Sequence, residues 1–310
     1  RDGGTLRGRA GQTLTMASLD LKTGSTLDVA LATPGQMRPF DVLGNLALGG
    51  KLDVSDAGGY GQGVYRLFDY GGLLSDNGLK IGSLPSGSPD ARLQTAVARQ
   101  INLVVSSNVQ FWNGSTTAPT GTVAGGSGVW TAGPATNWTD ANGTRSEASG
   151  TGFAVFQGRR APASSSTVTV DASLGAVRTG GLQFIGPGWT VNGDALVLDG
   201  AGGSTTVRVG DGTQAGASDT ANIQASLTGS GQLVKDDLGT LILSGRNSYA
   251  GDTTVKAGTL AVNGTLEGGG RLGVLDGARL RGTGTVGSTT IAVGGTVAPG
   301  NSIGTLNVHG

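Results

Sequence analysis

Carboxylates are the side chains of this sequence that could do chemistry, because two placed close together can act as general acid and general base on a polysaccharide. Asp236 and Asp237 are the one adjacent carboxylate pair. Consecutive residues of a strand point to opposite faces, so adjacency alone builds no site, and a tight turn before Gly239 is the more ordinary role. A Ser-His-Asp arrangement needs a histidine, and the sole one is His309. We therefore predict no catalytic residues and no enzyme activity.

Two glycine-rich stretches resemble ligand-binding motifs. Residues 282–287 read GTGTVG, which matches the GxGxxG pattern of dinucleotide-binding folds. That pattern holds a pyrophosphate only where a helix follows, whereas residues 288–293 have the alternation of a strand. Residues 209–212, VGDG, are an isolated relative of the calcium-binding β-roll repeat, which works in tandem. Cysteine is absent, which removes thiolate metal sites. We expect no cofactor and no metal ion.

Three tryptophans, Trp112, Trp130 and Trp138, lie in a stretch rich in Ser, Thr, Gly, Ala and Pro. Tryptophan is enriched at binding hot spots, so these side chains could bind a carbohydrate or a protein partner. Alternatively they could pack against the wall of the fold, where large rings bury much apolar area. We favour packing, and keep the three residues as the candidate partner-binding residues.

The composition favours an all-β protein with many tight turns. Glycine supplies 60 of the 310 residues and 14% of residues are charged, against about 7% and about 25% in ordinary proteins. The low charge and abundant Val, Leu and Thr argue against disorder, and glycine does not recur at every third position as collagen requires. The 21 basic and 21 acidic residues cancel, so nucleic acid is not an expected partner. The chain begins and ends in strand-like patterns, so we expect a piece of a longer protein.

A repeat near 20 residues indicates how the strands are arranged. Gly239, Gly258, Gly277 and Gly295 open similar segments at offsets of 19, 19 and 18 residues. About three short strands and three turns fit into ~20 residues at ~3.3 Å per strand residue, which is one rung of a parallel β-helix. Stacked rungs satisfy one another's backbone groups and bury a continuous apolar column. The side chains that alternation predicts to point inward are Leu241, Leu243, Val255, Leu260 and Val262.

Strand patterning divides the chain into three parts. Residues 1–111 contain short alternating segments and predict β-helix rungs, with a strand rather than a helix at residues 101–105. Residues 112–166 lose the pattern and predict an irregular Gly-, Ser- and Thr-rich excursion that contains the three tryptophans. Residues 167–310 regain the alternation and predict regular β-helix.

Residues 239–264 read GTLILSGRNSYAGDTTVKAGTLAVNG and closely resemble the passenger-associated transport repeat, also called the autotransporter-associated β-strand repeat. Lys235 stands where that family usually carries lysine. The family usually has glycine near Asp236 and Asp237, so this loop departs from the pattern. The residues that match the repeat, and to which the resemblance gives a structural role, are Gly239, Leu241, Ser244, Gly245, Asn247, Tyr249, Gly251, Thr253, Val255, Gly258 and Leu260.

The resemblance implies a right-handed parallel β-helix and type V secretion by a Gram-negative bacterium, with the passenger on the outer-membrane surface or released outside the cell. It implies a C-terminal membrane β-barrel translocator in the full-length protein. Together with the predicted lack of a catalytic site, it predicts a non-enzymatic adhesin or virulence factor that binds a protein or glycan on a host or bacterial surface. Two alternatives stay open: a passive β-helical stalk carrying a domain encoded elsewhere, and a polysaccharide-active β-helix enzyme.

Overall fold

The computed structural model describes residues 3–8, 12–36, 40–87, 90–106, 108–157, 165–268, 270–300 and 304–309. The chain divides into two compact units: Arg1–Ser107 with Asp211–Gln214, and Asn108–Gly210 with Ala215–Gly310. The described residues form β-strands and two short 3-10 turns, Ala201–Gly203 and Gln214–Ser218. The all-β class predicted from the composition is therefore confirmed.

In the described part of the first unit, short strands build three sheets. Their bounds are β1 (Thr5–Arg7), β2 (Thr15–Met16), β3 (Leu19–Asp20), β4 (Thr26–Ala32), β5 (Phe40–Val42), β6 (Leu46–Leu48), β7 (Lys51–Ala57), β8 (Gly63–Tyr70), β9 (Leu74–Asp76), β10 (Lys80–Ile81), β11 (Ala91–Gln94) and β12 (Gln100–Val105). The strand orders are β1-β4-β7-β10, β2-β5-β8-β12-β11 and β3-β6-β9. Apart from β11 and β12, neighbouring strands of one sheet follow one another at intervals of about 20 to 30 residues along the chain.

Alternating apolar residues place the core of this unit between its sheets. β4 and β7 pair in parallel along their whole length, with Leu27 opposite Leu52 and Val29 opposite Val54, and all four side chains are buried. The second sheet ends differently, because β12 is antiparallel to β8 and β11 is antiparallel to β12. The expectation of β-helix rungs throughout residues 1–111 is therefore corrected for this hairpin, while the strand expected at residues 101–105 is present.

The residues described in the second unit form two long sheets and two shorter ladders. Its strands are β13 (Val109–Trp112), β14 (Gly128–Thr131), β15 (Trp138–Thr139), β16 (Ser146–Glu147), β17 (Phe153–Gln157), β18 (Ser166–Asp171), β19 (Val177–Thr179), β20 (Gly181–Ile185), β21 (Trp189–Gly193), β22 (Leu196–Leu198), β23 (Ser204–Val209), β24 (Thr220–Ile223), β25 (Leu227–Thr228), β26 (Gln232–Asp236), β27 (Thr240–Leu243), β28 (Arg246–Asn247), β29 (Thr253–Val255), β30 (Thr259–Val262), β31 (Thr265–Leu266), β32 (Leu272–Val274), β33 (Arg279–Gly282), β34 (Thr285–Val286), β35 (Thr289–Ile291), β36 (Thr296–Pro299) and β37 (Asn307–Val308). The ten-stranded sheet has the order β16-β15-β13-β17-β20-β23-β26-β29-β32-β35, and the eight-stranded sheet has the order β14-β18-β21-β24-β27-β30-β33-β36. The ladders are β19-β22-β25 and β28-β31-β34-β37.

The period of about 20 residues is the offset between neighbouring rungs. Leu241 lies opposite Leu260, and Leu260 lies opposite Leu280, in parallel register. The side chains predicted to point inward all have 0% exposure, and they are Leu241, Leu243, Val255, Leu260 and Val262. The predicted parallel β-helix is confirmed, and its apolar column is the core of the second unit.

Close approach of successive rungs requires glycine at one corner. A Cβ on Gly264 would lie 2.0 Å from the backbone oxygen of Gly245, and a Cβ on Gly284 would lie 2.0 Å from that of Gly264. Neighbouring strands are only ~4.8 Å apart, so a side chain directed at the rung below has no room. This contact explains the glycine that ends the segments LSG, VNG and GTG.

More of residues 112–166 lies in the two long sheets than the sequence predicts. β14 pairs with β18 in the eight-stranded sheet, and β17 lies between β13 and β20 in the ten-stranded sheet. β15 pairs antiparallel with β13, and β16 pairs antiparallel with β15, at the end of the ten-stranded sheet. The expected excursion is therefore corrected at these strands. Residues 158–164 lie outside the described residues.

Candidate functional site

Lys235 occupies an inward position of β26 that valine holds in both neighbouring strands. Its side chain is fully buried. Its Nζ donates hydrogen bonds to the backbone oxygens of Asp236, Asp237 and Ala257, at 2.9, 2.6 and 3.0 Å. An ammonium has three N–H donors, so all of them are used. The lysine thereby closes the turn that follows β26.

Asp236 and Asp237 form that turn. Asp237 has a φ of 69° and is fully buried. Its carboxylate accepts hydrogen bonds from Nη2 of Arg208 at 3.1 Å and from the backbone N–H of Leu238 at 2.8 Å. The carboxylate of Asp236 accepts the backbone N–H of Asp237 at 2.8 Å. The carboxylate of Asp237 is therefore held in a buried ion pair, and the carboxylate of Asp236 accepts a hydrogen bond within the turn. This geometry supports a structural role for the two residues in a tight turn.

Arg208, Lys235, Asp236 and Asp237, the corner cluster, form one electrostatic unit. Burial lowers the pKa of Lys235 from 10.5 to about 8, while the charges of Asp237 and Asp236 oppose that shift and Arg208 adds to it. The ammonium is therefore still charged at pH 7, where its three carbonyl partners and the two carboxylates stabilise it.

Asn247 and Tyr249 fasten the next corner of the repeat. Nδ2 of Asn247 donates to backbone oxygens of its own rung and of the next, at 3.0 and 3.1 Å, and its Oδ1 accepts the N–H of Leu227 in the preceding rung at 3.1 Å. One amide therefore joins three rungs. Tyr249 is 4% exposed, and its hydroxyl lies 2.6 Å from that of Thr253. Burial raises the pKa of Tyr249 to about 12.

Other positions of the repeat also make structural contacts. Oγ of Ser244 donates to Oδ1 of Asn222, in the preceding rung, at 2.8 Å. Gly258 has a φ of 65°, a conformation that favours glycine. A Cβ on Gly251 would lie 2.5 Å from backbone atoms of the preceding rung. These contacts join neighbouring rungs, so the repeat builds the scaffold that positions the outer walls.

Trp112, Trp130 and Trp138 are buried, with 0, 0 and 1% exposure. The ring of Trp138 meets those of Trp112 and Trp130 edge to face at 5.0 and 5.2 Å, and all three rings lie 5.7 to 5.9 Å from that of Phe156. A partner cannot contact a ring that has no exposed surface. The candidate partner-binding role of these residues is therefore corrected, because the rings form core of the second unit.

The remaining sequence motifs do not assemble into a site. His309 is exposed, and its backbone N–H pairs with the oxygen of Val286. Residues 282–287 run from β33 to β34 and are followed by strand β35, so the dinucleotide pattern lacks its helix. Within the first unit, the carboxylate of Asp211 lies 2.7 Å from Nη2 of Arg66, an ion pair that competes with any cation. The described residues contain no group of three or more His, Asp or Glu placed to hold a metal ion.

The role of Arg208 could not be predicted from the sequence. Its partner Asp237 lies 29 residues further along the chain, and the two meet because β23 and β26 stack in the ten-stranded sheet. A local pattern cannot reveal that register. The inward position of Lys235 could have been predicted, because Lys235 lies two residues after the inward Leu233 on the same strand.

These observations define a parallel β-helix in which the residues of the repeat make contacts between stacked rungs. The described part of the chain has no helix with the length and apolar character that crossing a membrane requires.

The family described as passenger-associated-transport-repeat matches residues 233–262. The chain is also similar to the adhesin BmaC autotransporter of Brucella suis biovar 1 (strain 1330), with 44% identity over 258 residues. The match covers 79% of this chain and 7% of that relative, so the chain spans a small part of the relative's length. No solved structure matches the chain. The two matches show that the chain is an autotransporter passenger sequence, and such passengers are exported to the cell surface of Gram-negative bacteria.

Proposed function

We propose that this chain is a non-enzymatic part of an autotransporter passenger, and that it binds host or other cells as an adhesin and virulence factor. The observation that carries the proposal is the 44% identity, over 79% of this chain, to a protein named an adhesin. In the full-length protein the passenger would be joined to the C-terminal membrane β-barrel translocator of its class.

The partners of the buried polar groups support the non-enzymatic role. A general acid or base must come within hydrogen-bond distance of a substrate proton. Asp237 and Lys235 are fully buried, and they are held by Arg208 and by three backbone oxygens respectively. These contacts argue against the polysaccharide-active alternative, which requires carboxylates gathered on an open wall.

The outward side chains of the long sheets are the surface that a cell would meet. In the eight-stranded sheet, Thr220, Thr240 and Thr259 lie in register on successive strands and are partly exposed. A wall built from repeated rungs presents similar groups many times, and many weak contacts along it add through avidity. Such a wall can bind a cell surface without a deep pocket.

A passive stalk is the second candidate function. It is favoured by the burial of the tryptophans, because protein-binding hot spots usually contain Trp, Tyr or Arg at their centre. A stalk would hold a binding domain away from the bacterium and would not itself attach to cells.

Attachment of coated beads to host epithelial cells distinguishes the two functions. We expect beads carrying the purified chain to bind in a dose-dependent manner, soluble chain to compete, and beads carrying heat-unfolded chain to stay at background. If beads carrying the native chain attach no more than the background level, the passive stalk is the favoured function. We also expect no turnover of pectin, peptide or ester substrates, and turnover that Asp236→Ala or Asp237→Ala abolishes would contradict the non-enzymatic proposal.

A further inference from the structure

Basic side chains on the outer walls of the second unit are commonly held in ion pairs. Arg246 lies 2.6 Å from Glu267, and Arg178 lies 3.6 Å from Asp199. Lys256 likewise faces a carboxylate of the corner cluster at 3.8 Å. The chain has equal numbers of basic and acidic residues, so pairing of this kind leaves little free charge on the walls.

Arg279 and Arg281 depart from this pattern. Both project outward from β33, where they alternate with the buried Leu280 and Gly282. Among the described residues neither guanidinium forms an ion pair, and the exposed Asp276 of the preceding corner is paired with neither. Side chains two residues apart on a strand share a face and are separated by about 6.6 Å. The two positive charges therefore stand side by side on one wall.

The surroundings leave this arginine pair open to a ligand. β33 lies between β30 and β36, and its in-register neighbours are Thr259 and Thr296 beside Arg279, and Ala261 and Ala298 beside Arg281. These side chains are short and uncharged, so they do not neutralise the guanidinium groups; Arg279 is exposed, while Arg281 is partly exposed and lies beside the buried Ala261. Nε of Arg281 is buried without a hydrogen-bond acceptor, which places the stem of that side chain against the wall.

We propose that Arg279 and Arg281 bind an anionic polysaccharide through its carboxylate or sulfate groups. The proposal rests on the proposed function and specifies the chemistry of the partner. A guanidinium presents a planar fork of N–H donors that matches an oxyanion in a bidentate manner. Two forks on one face of a strand can engage successive charged groups of one flexible chain, while the threonine hydroxyls beside Arg279 can bind sugar hydroxyls.

The wall fits a polyanion better than it fits a protein. β33 is hydrogen-bonded to a strand on each side, so it offers no edge to an added peptide strand. A folded protein partner usually needs about 800 Å² per side and an aromatic or aliphatic anchor, whereas the neighbours here are threonine and alanine. A polysaccharide needs neither, because repeated charges give it many equivalent ways to bind.

Binding of the full chain to immobilised heparin, hyaluronate and dextran tests the site. Heparin carries sulfate and carboxylate groups, hyaluronate carries carboxylate alone, and dextran is neutral. The test variant is Arg279→Gln/Arg281→Gln. The matched control is Arg178→Gln/Arg246→Gln, which removes two exposed arginines that are already paired. Each variant changes the net charge from 0 to −2, so a difference between them reports position rather than charge.

We expect the wild type to bind heparin or hyaluronate but not dextran, and to weaken as salt rises through about 0.15 M. The test variant should lose about tenfold in affinity and the control less than about twofold, because the carboxylate beside each control arginine repels the polyanion and offsets the attraction of the guanidinium. Unchanged thermal unfolding would show that both variants are folded, as expected for outward glutamines.

Equal losses in the two variants would overturn the site, because they would indicate attraction by net charge alone. It would also be overturned if the wild type bound neither polyanion, or if it bound an immobilised acidic protein in preference to both. Bead attachment separates this inference from the proposed function. If the test variant keeps the wild-type affinity for heparin and hyaluronate while the wild type attaches to cells, the site is wrong and the adhesive function stands; if the wild type binds heparin but no cells, the adhesive function is wrong.

Discussion

Replacing Lys235 with methionine removes an ammonium from the corner cluster and keeps a side chain of similar length. Three backbone oxygens lose their donor, at about 2 kcal/mol for each acceptor left without a partner. The variant also avoids burying a charge, and the lowering of the lysine pKa from 10.5 to about 8 corresponds to about 3 kcal/mol. We therefore expect Lys235→Met to lower the free energy of unfolding by about 3 kcal/mol.

Urea unfolding followed by tryptophan fluorescence measures this change. The four tryptophans, Trp189 among them, are buried in the second unit, so their emission reports the unfolding of that unit. Lys256→Met is the matched control, because Lys256 is exposed and its contact with Asp236 is 3.8 Å long. An exposed pair contributes at most about 1 kcal/mol. A loss for Lys235→Met no larger than that of the control would refute the reasoning.

The same variants test the lowered pKa of Lys235. Between about pH 8 and pH 10.5 the unfolded chain still binds the proton that the folded chain has released. Stability rises with pH wherever the unfolded state binds more protons, so the wild type should gain stability as the pH is raised from about 8. Lys235→Met should lack this gain.

Four further predictions follow from the second unit and its repeat. Tyr249→Ala should lower the free energy of unfolding by about 3 kcal/mol in urea, because a buried ring is lost; a change below about 1 kcal/mol would contradict its burial. The raised pKa of Tyr249 favours the protonated folded state, so stability should fall as the pH rises from 10 to about 12, and Tyr249→Phe should remove that part of the fall. Trypsin should cut at Arg145, in the loop between β15 and β16, before Arg246 of the repeat, as mass spectrometry of early fragments would show. Hydrogen exchange should be slower in residues 231–310 than in residues 11–111, and the reverse order would contradict a stable repeat block.

The stacking of the repeat could be predicted from the sequence because each rung repeats the same local pattern. Leu241 and Leu260 occupy equivalent positions of GTL segments, and the period alone places one above the other. The inward side chains of the repeat follow from alternation in the same way. In a stacked solenoid each rung contacts only the rungs next to it, so the sequence period alone predicts which residues lie opposite each other in this part of the fold.

Other features depend on contacts that no local pattern encodes. The hairpin of β11 and β12 alternates like any rung, and alternation does not show whether a strand runs parallel or antiparallel to its neighbour. The burial of Trp130 depends on strands and rings far along the chain. Arg208 meets Asp237, and Arg281 has no ion pair within the described ranges of the chain, because particular strands become neighbours. The contacts of these residues can be known only from the strand register of the folded chain.

The inward and outward positions of the repeat side chains depend on parallel rungs in which Thr240 lies opposite Thr259. The chain contains no cysteine, so a disulfide can come only from an introduced pair. Thr240→Cys/Thr259→Cys places two thiols on neighbouring strands about 4.8 Å apart, within disulfide range, whereas Thr240→Cys/Ala261→Cys separates them by about 8 Å. Mild oxidation followed by non-reducing mass spectrometry should give an intramolecular disulfide in the first variant and free thiols in the second. Oxidation of the second pair as readily as the first, or failure of the first pair to close, would contradict the parallel β-helix.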